Sequence, residues 1–404
     1  MNWLYKYLRK IKLLNNCLKI FILFIIIKLI IPDFYIHDKN NIDTSKYFLN
    51  ISQDLNSTNK TNFFDKINEY IELCRKGVLI NYIKRRYKEP PKITSVIPVY
   101  NSNKTIKSTI RSIQNQNMNE IEILLVDDCS DDNTLSIINE LMLEDKRIKL
   151  IKNKKNRGTL YSRSIGALNA KGKYIMAIDN DDLFLYGIFN KCYEEAENYN
   201  HDIIEFSGIQ ICSNCSVDMN NIYIPWFLRF KENGLVIKQP QLSTFDYIRT
   251  NTSFDFIDVF VWGKLIKKET YIKAVNLLGN FIYEHNICLT EDKILILGLF
   301  KVAYSFKFID VYGIVYMENS DSICHSWSNS KQKRIIHDFF MLSVIYFNLT
   351  KETDEIQIVV DELKKHFREF SIMLDKEHKI LFKKLYNDLL ENNNVLDSEK
   401  NILS

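Results

Sequence analysis

Two acidic clusters could do chemistry, because each directly follows an apolar run that is typical of a buried strand. Residues 121–126 precede Asp127-Asp128, and residues 174–178 precede Asp179-Asn180-Asp181-Asp182. In an open α/β sheet, ligands bind outside the carboxyl ends of the strands, so both clusters are expected at one site. Crowded carboxylates repel one another unless a cation separates them, and oxygen ligands favour Mg²⁺ or Mn²⁺. A diphosphate is the obvious anionic partner of such an ion, which indicates a nucleotide-activated substrate.

Strand and helix patterns alternate through the part of the chain that carries both clusters. β-branched runs such as Ile93–Val99 predict strands, and the spacing of Ile106, Ile110 and Ile113 predicts a helix. The alternation predicts a mostly parallel, doubly wound α/β sheet with helices on both faces.

The pattern also divides the chain. We predict one domain over residues 92–330, because the alternation begins at Lys92 and helical spacing returns beyond Lys331. Its nucleotide-binding half covers residues 92–208, and its aromatic-rich, less regular acceptor half covers residues 209–330. Residues 331–404 are expected to form a carboxyl-terminal helical region.

The first 91 residues differ from this domain. Residues 18–31 are nearly all apolar and follow several Lys and Arg residues, which predicts a single-pass membrane anchor over residues 1–32 with a cytoplasmic amino terminus. The catalytic domain would then lie in the lumen of the ER or Golgi. A cleaved signal peptide and a buried amphipathic helix are the alternatives. Residues 33–91 are expected to form a polar stem and a helical linker.

Composition and missing motifs exclude several function classes. The formal net charge is only +4 over 404 residues, with basic and acidic residues interspersed, so we expect no nucleic-acid partner. The sequence contains neither G-x-G-x-x-G after the first strand nor G-x-x-x-x-G-K-S/T, so glycine loops do not hold the phosphates. The run from Asp179 lacks the Gly and the final Glu of a calcium loop.

Cysteines and glycosylation sequons give weaker indications. Eight Cys residues are too sparse for a disulfide framework, and Cys212-Ser-Asn-Cys215 is either a local disulfide or two unrelated thiols. Asn-x-Ser/Thr sequons would suit a lumenal glycoprotein, although several are expected by chance in so Asn-rich a chain. They occur at Asn50, Asn56, Asn59, Asn103, Asn214, Asn251 and Asn348.

A series of motifs in fixed order resembles the nucleotide-binding half of the family 2 glycosyltransferases. The segments that carry the resemblance are Ser95-Val-Ile-Pro-Val-Tyr-Asn101, Leu125-Val-Asp-Asp-Cys-Ser-Asp-Asp-Asn-Thr134, Asn156-Arg-Gly158, Arg163, Gly166, Ala170-Lys-Gly-Lys-Tyr174 and Asp179-Asn-Asp-Asp182. The resemblance is strong over residues 94–208 and thinner beyond them. It implies the GT-A fold, a nucleotide-sugar donor, a divalent cation (Mn or Mg) and an inverting mechanism.

The resemblance also implies roles for particular residues on the donor side. Asp128 resembles the aspartate that contacts the base, and Asp181 and Asp182 resemble the D-x-D element that serves metal and ribose, with Asp179 able to contribute. By the same match, the nucleotide-binding residues are Pro98, Tyr100, Asn101, Asp128, Arg163 and Asp181, and the metal ligands are Asp181, Asp182 and Asp179. Turn and helix-cap roles are at least as good an account of Asp127 and Asp131.

On the acceptor side, Thr290-Glu291-Asp292-Lys293 resembles the family's E-D element. That match implies that Asp292 is the general base and that Glu291 orients the acceptor or the base; an acidic helix cap is the alternative. Val261-Trp-Gly-Lys-Leu265 resembles the W-N-K-L segment, which makes Trp262 and Lys264 acceptor residues, although core packing explains Trp262 equally well.

Two positions depart from the family's pattern. Gly263 replaces an Asn, and Met317 stands where a basic residue often meets the diphosphate, so that His325 or Lys307 would have to substitute. The Q-x-x-R-W element of processive synthases is absent. We therefore expect transfer of one sugar, from a donor that is UDP-linked, to a hydroxyl of a glycan, glycoprotein or lipid. A degenerate binding protein and a cytosol-facing transferase acting on lipid-linked substrates are the alternatives.

Overall fold

The computed structural model describes residues 70–76, 90–212, 236–238, 260–284, 287, 291–318, 329–350, 371, 374 and 376–392. The predicted anchor, the stem and the segment from 319 to 328 lie outside these ranges. Within them, no helix is both long enough and apolar enough to cross a bilayer. The anchor therefore stays a prediction, as does the lumenal location of the catalytic domain.

A nine-stranded sheet forms the centre of the described structure, in the order β3-β2-β1-β4-β8-β6-β9-β5, with β7 paired to β9. Its strands are β1 (Ile93–Val99), β2 (Ile121–Asp127), β3 (Ile148–Lys152), β4 (Tyr174–Ala177), β5 (Leu183–Phe184), β6 (Ile203–Cys212), β7 (Val236–Lys238), β8 (Lys264–Lys267) and β9 (Ser305–Glu318).

The half of the sheet that carries the acidic clusters is parallel throughout. β1 pairs in parallel with β2 and β4, and β2 pairs in parallel with β3. Every residue of β1 and β2 is buried, because a parallel strand is covered on both faces. This explains why their sequences are mostly apolar runs rather than alternating ones.

The other half of the sheet is mixed, which corrects the prediction of a mostly parallel sheet. β8 pairs antiparallel with both β4 and β6, while β6 and β9 are parallel to each other. β5 and β7 both pair antiparallel with β9. Of these strands, β7, β8 and β9 belong to the segment whose sequence showed no alternation, so their direction could not be read from a strand–helix repeat.

Helices cover both faces of the sheet, as predicted. They are α1 (Ile106–Gln114), α2 (Thr134–Glu144), α3 (Thr159–Asn169), α4 (Ile188–Tyr199), α5 (Lys268–Leu278), α6 (Asn280–Glu284), α7 (Glu291–Val302), α8 (Asn329–Thr350) and α9 (Lys376–Asn392). Helices α1, α2 and α4 share one apolar core with the sheet, which includes Ile110, Ile138 and Phe189. Helices α3, α5, α7 and α8 share the core on the opposite face.

The carboxyl-terminal region is helical, as the spacing predicts. Phe339 of α8 is fully buried, and its ring packs edge-on against Phe382 of α9 at a centroid distance of 4.8 Å. Helix α8 also contacts α7. The pair α8–α9 therefore extends the apolar core behind the helix that carries Glu291 and Asp292.

Gly172 lies close to the backbone of β1. A Cβ atom at this position would lie 2.5 Å from the Thr94 nitrogen, which backbone atoms cannot accommodate. Helix α3 ends three residues earlier, at Asn169. Gly172 is not among the described glycines with a positive φ, so its role is to permit the close approach of the chain to β1.

Candidate active site

Both acidic clusters meet at the carboxyl end of β1. The backbone N–H of Asp128 donates to the carbonyl of Val99 at 2.8 Å, and the side-chain amide of Asn180 donates to the carbonyl of Pro98 at 3.3 Å. Because Pro98 and Val99 are consecutive, the two clusters flank a single strand end. The structure thus brings together the residues that the sequence placed at the strand ends.

Asp128 is anchored by the loop that leads into α3. One of its carboxylate oxygens accepts from the Asn153 amide at 2.8 Å and from the backbone N–H of Arg157 at 2.9 Å. The other oxygen accepts from the N–H of Gly158, the residue that caps α3, at 2.7 Å. Asp128 is only 4% exposed. Its carboxylate therefore fixes the start of α3, and contact with a base stays a prediction.

We predict that Asp128→Ala lowers the free energy of unfolding by about 2–4 kcal/mol, because it leaves buried backbone donors without a partner. Urea denaturation of the full chain measures this loss. Asp131→Ala is the control, since that side chain is exposed at the same turn and should change stability little. Equal stability of the two variants would contradict the anchoring role.

The turn after β1 contains the exposed ring of Tyr100 and the hydrogen-bonded side-chain amide of Asn101. Tyr100 is 47% exposed, so its ring is available to cover a planar base. Asn101 adopts a left-handed φ of 47°, and its side-chain oxygen accepts from the backbone N–H of Asp131 at 3.0 Å. Asn101 thereby ties the first cluster to β1. Asp127 accepts from the N–H of Ser130 at 3.3 Å, which is the turn role that the sequence left open for it.

The second cluster bends the chain from β4 into β5. Asp182 is fully buried, and one of its oxygens accepts from the backbone N–H of Met317 at 2.9 Å. This contact follows from the pairing of β5 with β9, which brings Leu183 opposite Val315. The other oxygen of Asp182 is buried without a hydrogen-bond partner among the described residues. Asp179 and Asp181 are half-buried.

Burial raises the pKa values of two carboxyl groups in the second acidic cluster. Burial and the neighbouring Asp179 raise the pKa of Asp181 to about 7. Burial, together with Asp181 and Asp179, raises the pKa of Asp182 well above its usual range. A divalent cation would reverse both shifts, because positive charge favours the ionised form.

The donor set fits such a cation in part. Among the described residues, no group of three or more acidic, His or Cys side chains is arranged to hold a metal ion by itself. The oxygens of Asp179, Asp181 and Asp182 nevertheless suit Mg²⁺ or Mn²⁺, and Mg²⁺ is commonly held by one or two carboxylates plus phosphate oxygens of a ligand. The residues present therefore fit a cation that arrives with a phosphorylated substrate.

The same shifts predict how stability depends on pH in the absence of divalent ions. Between pH 3.8 and about 7, folded Asp181 keeps a proton that the unfolded chain has released, so stability falls as the pH rises through this window. We therefore expect a lower Tm at pH 8 than at pH 5.5 in EDTA, and a smaller difference for Asp181→Asn. Scanning calorimetry measures both. A wild-type Tm that rises with pH would contradict the assignment.

Arg163 joins the second cluster to the start of α7. It lies on α3 and is 1% exposed. Its Nη2 donates to Asp179 and its Nη1 donates to Asp292, with Glu291 at 3.8 Å from Nη1. Burial acts to lower the pKa of Arg163, but Asp179, Asp292 and Glu291 outweigh it and raise that pKa. Arg163 therefore bridges two acidic groups, and its contact with a nucleotide stays a prediction.

Glu291 and Asp292 occupy the first turn of α7. Burial raises the pKa of Asp292, against the opposing effect of Arg163. Burial and Asp292 raise the pKa of Glu291 well above its usual range. Acidic residues also stabilise the first turn of a helix, so the cap interpretation and the site interpretation are compatible. A carboxylate with a raised pKa at neutral pH is suited to take up a proton.

The structure buries both residues that the sequence assigned to the acceptor. Trp262 is 3% exposed and stacks between Phe260 and Tyr316, at centroid distances of 4.5 and 5.9 Å. Lys264 is fully buried; its Nζ donates to the carbonyl of Phe260 at 2.7 Å and lies 3.5 Å from Glu205. The acceptor assignment is corrected for both, because their side chains are directed into the core.

Comparison with known proteins decides the family. Residues 94–256 match the sequence profile described as Glycosyl transferase family 2. This segment is a family 2 glycosyltransferase domain. The resemblance inferred from the ordered motifs is thereby confirmed.

Several curated proteins are similar to the family 2 domain. The chain is 28% identical over 233 residues to the "Uncharacterized glycosyltransferase EpsJ" of Bacillus subtilis and 28% identical over 200 residues to the "GalNAc(5)-diNAcBac-PP-undecaprenol beta-1,3-glucosyltransferase" of Campylobacter jejuni. It is 27% identical over 240 residues to the "Cholesterol galactosyltransferase" of Borreliella burgdorferi. These matches cover 58%, 48% and 59% of this chain and 63%, 60% and 63% of the relatives' lengths.

Solved structures support the fold. The crystal structure of S. aureus TarS 1-349 in complex with UDP-GlcNAc superposes with a TM-score of 0.53 at 17% identity, covering 72% of this chain and 79% of that one. The crystal structure of S. aureus TarS 1-349 gives a TM-score of 0.50 at 18% identity, covering 71% and 77%. The family 2 domain therefore has a GT-A-like α/β fold.

The departures from the family's pattern have structural explanations. Gly263 adopts a φ of 74°, a left-handed conformation that Asn tolerates better than most residues, so Gly in place of Asn keeps the backbone. Met317 contributes its backbone N–H to Asp182. Lys307 is excluded as a substitute cation, because its Nζ pairs with Glu195 of α4 at 2.6 Å. His325 lies outside the described residues.

Sequence reasoning missed two polar residues, one within the family 2 domain and one beyond it. Asn153 follows β3 directly and donates to Asp128, so its position after a strand was a usable signal. Tyr271 of α5 is fully buried on the core face shared with α3 and α7. No sequence motif marks it, because its neighbours in space lie on helices distant in the chain.

Proposed function

We propose that this protein is an inverting glycosyltransferase that transfers one sugar from a UDP-linked donor to an acceptor hydroxyl, with Mn²⁺ or Mg²⁺. The family 2 domain supports transferase chemistry. The UDP-GlcNAc complex among structures of similar fold makes UDP the first nucleotide to test. The metal, the donor, the acceptor and the inversion are parts of this proposal.

One observation carries the proposal. The Arg163 guanidinium donates to Asp179 of the second acidic cluster and to Asp292 of α7, so the two acidic groups lie within one guanidinium's width of each other. The first group is suited to the cation and diphosphate of a donor. The second is suited to remove a proton from an acceptor. Single displacement requires both within one site.

Each residue of the site then has a task. The Tyr100 ring covers the base, and Asp128 holds the loop that borders the nucleotide. Asp181, with Asp179 and Asp182 beside it, would hold the cation, which when bound supplies positive charge to the departing diphosphate. Asp292 accepts the proton of the acceptor hydroxyl as that oxygen attacks the anomeric carbon. Arg163 holds the Asp292 and Asp179 carboxylates in fixed positions relative to each other.

Two relatives favour a lipid or lipid-linked acceptor within this proposal. One is named for an undecaprenol diphosphate glycan and the other for cholesterol, and both are named as enzymes that transfer a hexose. An amino-terminal anchor over residues 1–32 would hold the domain at the bilayer that contains such an acceptor. The catalytic domain would face either the lumen or the cytosol, and these are the two forms of the hypothesis. Glycosidase-sensitive mass at Asn50 or Asn56 supports the lumenal form and excludes the cytosolic one.

A degenerate binding protein is the competing function. The departures at Gly263 and Met317 motivated it, but the left-handed φ at Gly263 and the backbone contact of Met317 remove much of its support. The acids expected of an active enzyme are present and share one site through Arg163.

A donor screen tests the proposal. The full chain in detergent is incubated with a panel of nucleotide sugars, Mn²⁺ or EDTA, and short lipid-linked and soluble glycan acceptors, and nucleotide release is measured. We expect turnover with a UDP-sugar that requires Mn²⁺ or Mg²⁺. Nucleotide binding by calorimetry without turnover across the panel would overturn the proposal in favour of the binding protein.

A further inference from the structure

A buried tyrosine lies on a helix that packs against the helix of Arg163. Tyr271 is fully buried on α5, and its hydroxyl has no hydrogen-bond partner among the described residues. Helix α5 packs against both α3, which carries Arg163, and α7, which begins with Glu291 and Asp292. A phenol hydroxyl is usually hydrogen-bonded when buried, so this one calls for a partner.

The Arg163 side chain offers a complementary atom. Its two Nη atoms face Asp292 and Asp179, whereas its buried Nε–H has no partner in the part of the chain that the structure describes. The groups interact electrostatically: burial raises the pKa of Tyr271, Arg163 lowers it and Asp292 raises it. The Arg163 Nε–H, which lacks an acceptor within the described ranges, and the Tyr271 hydroxyl, which can accept a hydrogen bond, therefore lie in the same buried region.

We propose that Tyr271 is a positioning residue of this site, whose hydroxyl is joined to the Arg163 Nε–H through one buried water that accepts from Nε and donates to the hydroxyl. This inference rests on the proposed function. With Nε held, the guanidinium plane is fixed, so Nη1 stays on Asp292 and Nη2 stays on Asp179. Tyr271 touches neither donor nor acceptor and acts only through Arg163.

Removal of the hydroxyl tests this role. Tyr271→Phe keeps the ring in the core and is expected to lower kcat about tenfold with little change in KM, because the base is misplaced rather than lost. Tyr174→Phe is the matched control: Tyr174 is also buried and its hydroxyl donates to Glu197 at 2.7 Å, at the opposite end of β4. The control should keep wild-type kcat.

A double-mutant cycle separates positioning from core packing. A Lys side chain has a single ammonium group and no equivalent of the Arg Nε–H. In the Arg163→Lys background, the Tyr271→Phe change should therefore have no further effect on kcat or on the Tm of the metal-free protein. Equal losses in both backgrounds would overturn the proposal.

The outcomes also separate this inference from the proposed function. Wild-type kcat in Tyr271→Phe, with turnover abolished in Asp292→Asn, overturns the positioning role alone. Wild-type turnover in Asp292→Asn overturns the assignment of the base. Absence of wild-type turnover across the donor screen overturns the proposed function itself, and the positioning role with it.

Discussion

Asp292→Asn is expected to lower kcat for sugar transfer by about 100- to 10,000-fold, because the amide cannot accept the proton of the acceptor hydroxyl. The KM for the donor should stay near the wild-type value, since Asp292 lies on the acceptor side of Arg163. The amide oxygen can still accept from Arg163, so the bridge to Asp179 and the fold are retained. Steady-state kinetics with the donor found in the screen measure the effect.

Glu140→Gln is the control for this change. Glu140 is an exposed acid on α2, so the substitution removes the same charge without touching the site. Its kcat should equal that of the wild type. If Asp292→Asn keeps more than about one tenth of wild-type kcat, the base is another group, because general-base catalysis contributes at least about 100-fold in typical enzymes.

Asp181→Asn is expected to lower kcat by at least about 100-fold, because a metal ligand that stabilises the leaving diphosphate contributes several kcal/mol. The substitution removes a charge from a group whose pKa is raised to about 7, and it changes neither size nor shape appreciably. The apparent affinity for Mn²⁺ should fall with the activity. Titrations of Mn²⁺ followed by turnover, and separately by Tm, measure the two effects.

Asp131→Asn provides a matched comparison from the first acidic cluster. The Asp131 side chain is exposed, and the described contact of this residue is made through its backbone N–H. It should keep both activity and Mn²⁺ affinity. An Asp181→Asn variant that retains full Mn²⁺ activation would show that the cation binds elsewhere, or that none is needed.

The parallel half of the fold could be predicted almost to the residue. β1 runs from Ile93 to Val99 as predicted, and β2 extends one residue beyond the predicted run, to Asp127. Parallel strands buried on both faces are continuous apolar runs, and the polar residues that follow them mark the strand ends. That physical link is why the acidic clusters could be assigned to one site from the sequence.

The mixed half could not be predicted in the same way. β8 is only four residues long, and β9 joins three other strands over fourteen residues. Antiparallel pairing among strands far apart in the chain leaves no local period in the sequence. The segment between them was described as irregular, although it contains α5, α6 and α7.

The contacts within the site were even less accessible from the sequence. Arg163 and Asp292 are separated by 129 positions, and their contact depends on how α3 and α7 pack over the sheet. The resemblance to the family implied a nucleotide-binding role for Arg163. A motif match indicates that a residue is required, but it does not show which atoms that residue contacts. The same holds for Asp128, whose carboxylate is occupied by backbone donors of the α3 loop.

Lys264 illustrates the opposite error. A Lys beside a Trp resembled a sugar-binding pair, yet its Nζ is fully buried near Glu205. Burial of a Lys is rare unless it is paired, and Glu205 lies on β6, next to β8 in the sheet. Only the pairing of the two strands shows that the ammonium has a core partner.

We propose that the acidic residues around Arg163 form one cation-dependent donor pocket at the carboxyl end of β1. The most direct measurement is a crystal structure of the full chain soaked with UDP and Mn²⁺, with the ion located by its anomalous scattering. We expect an Mn²⁺ peak within coordination distance of an Asp181 oxygen and of the diphosphate, with the uracil beside Tyr100. An Mn²⁺ ion or a nucleotide bound away from Asp181 would contradict it.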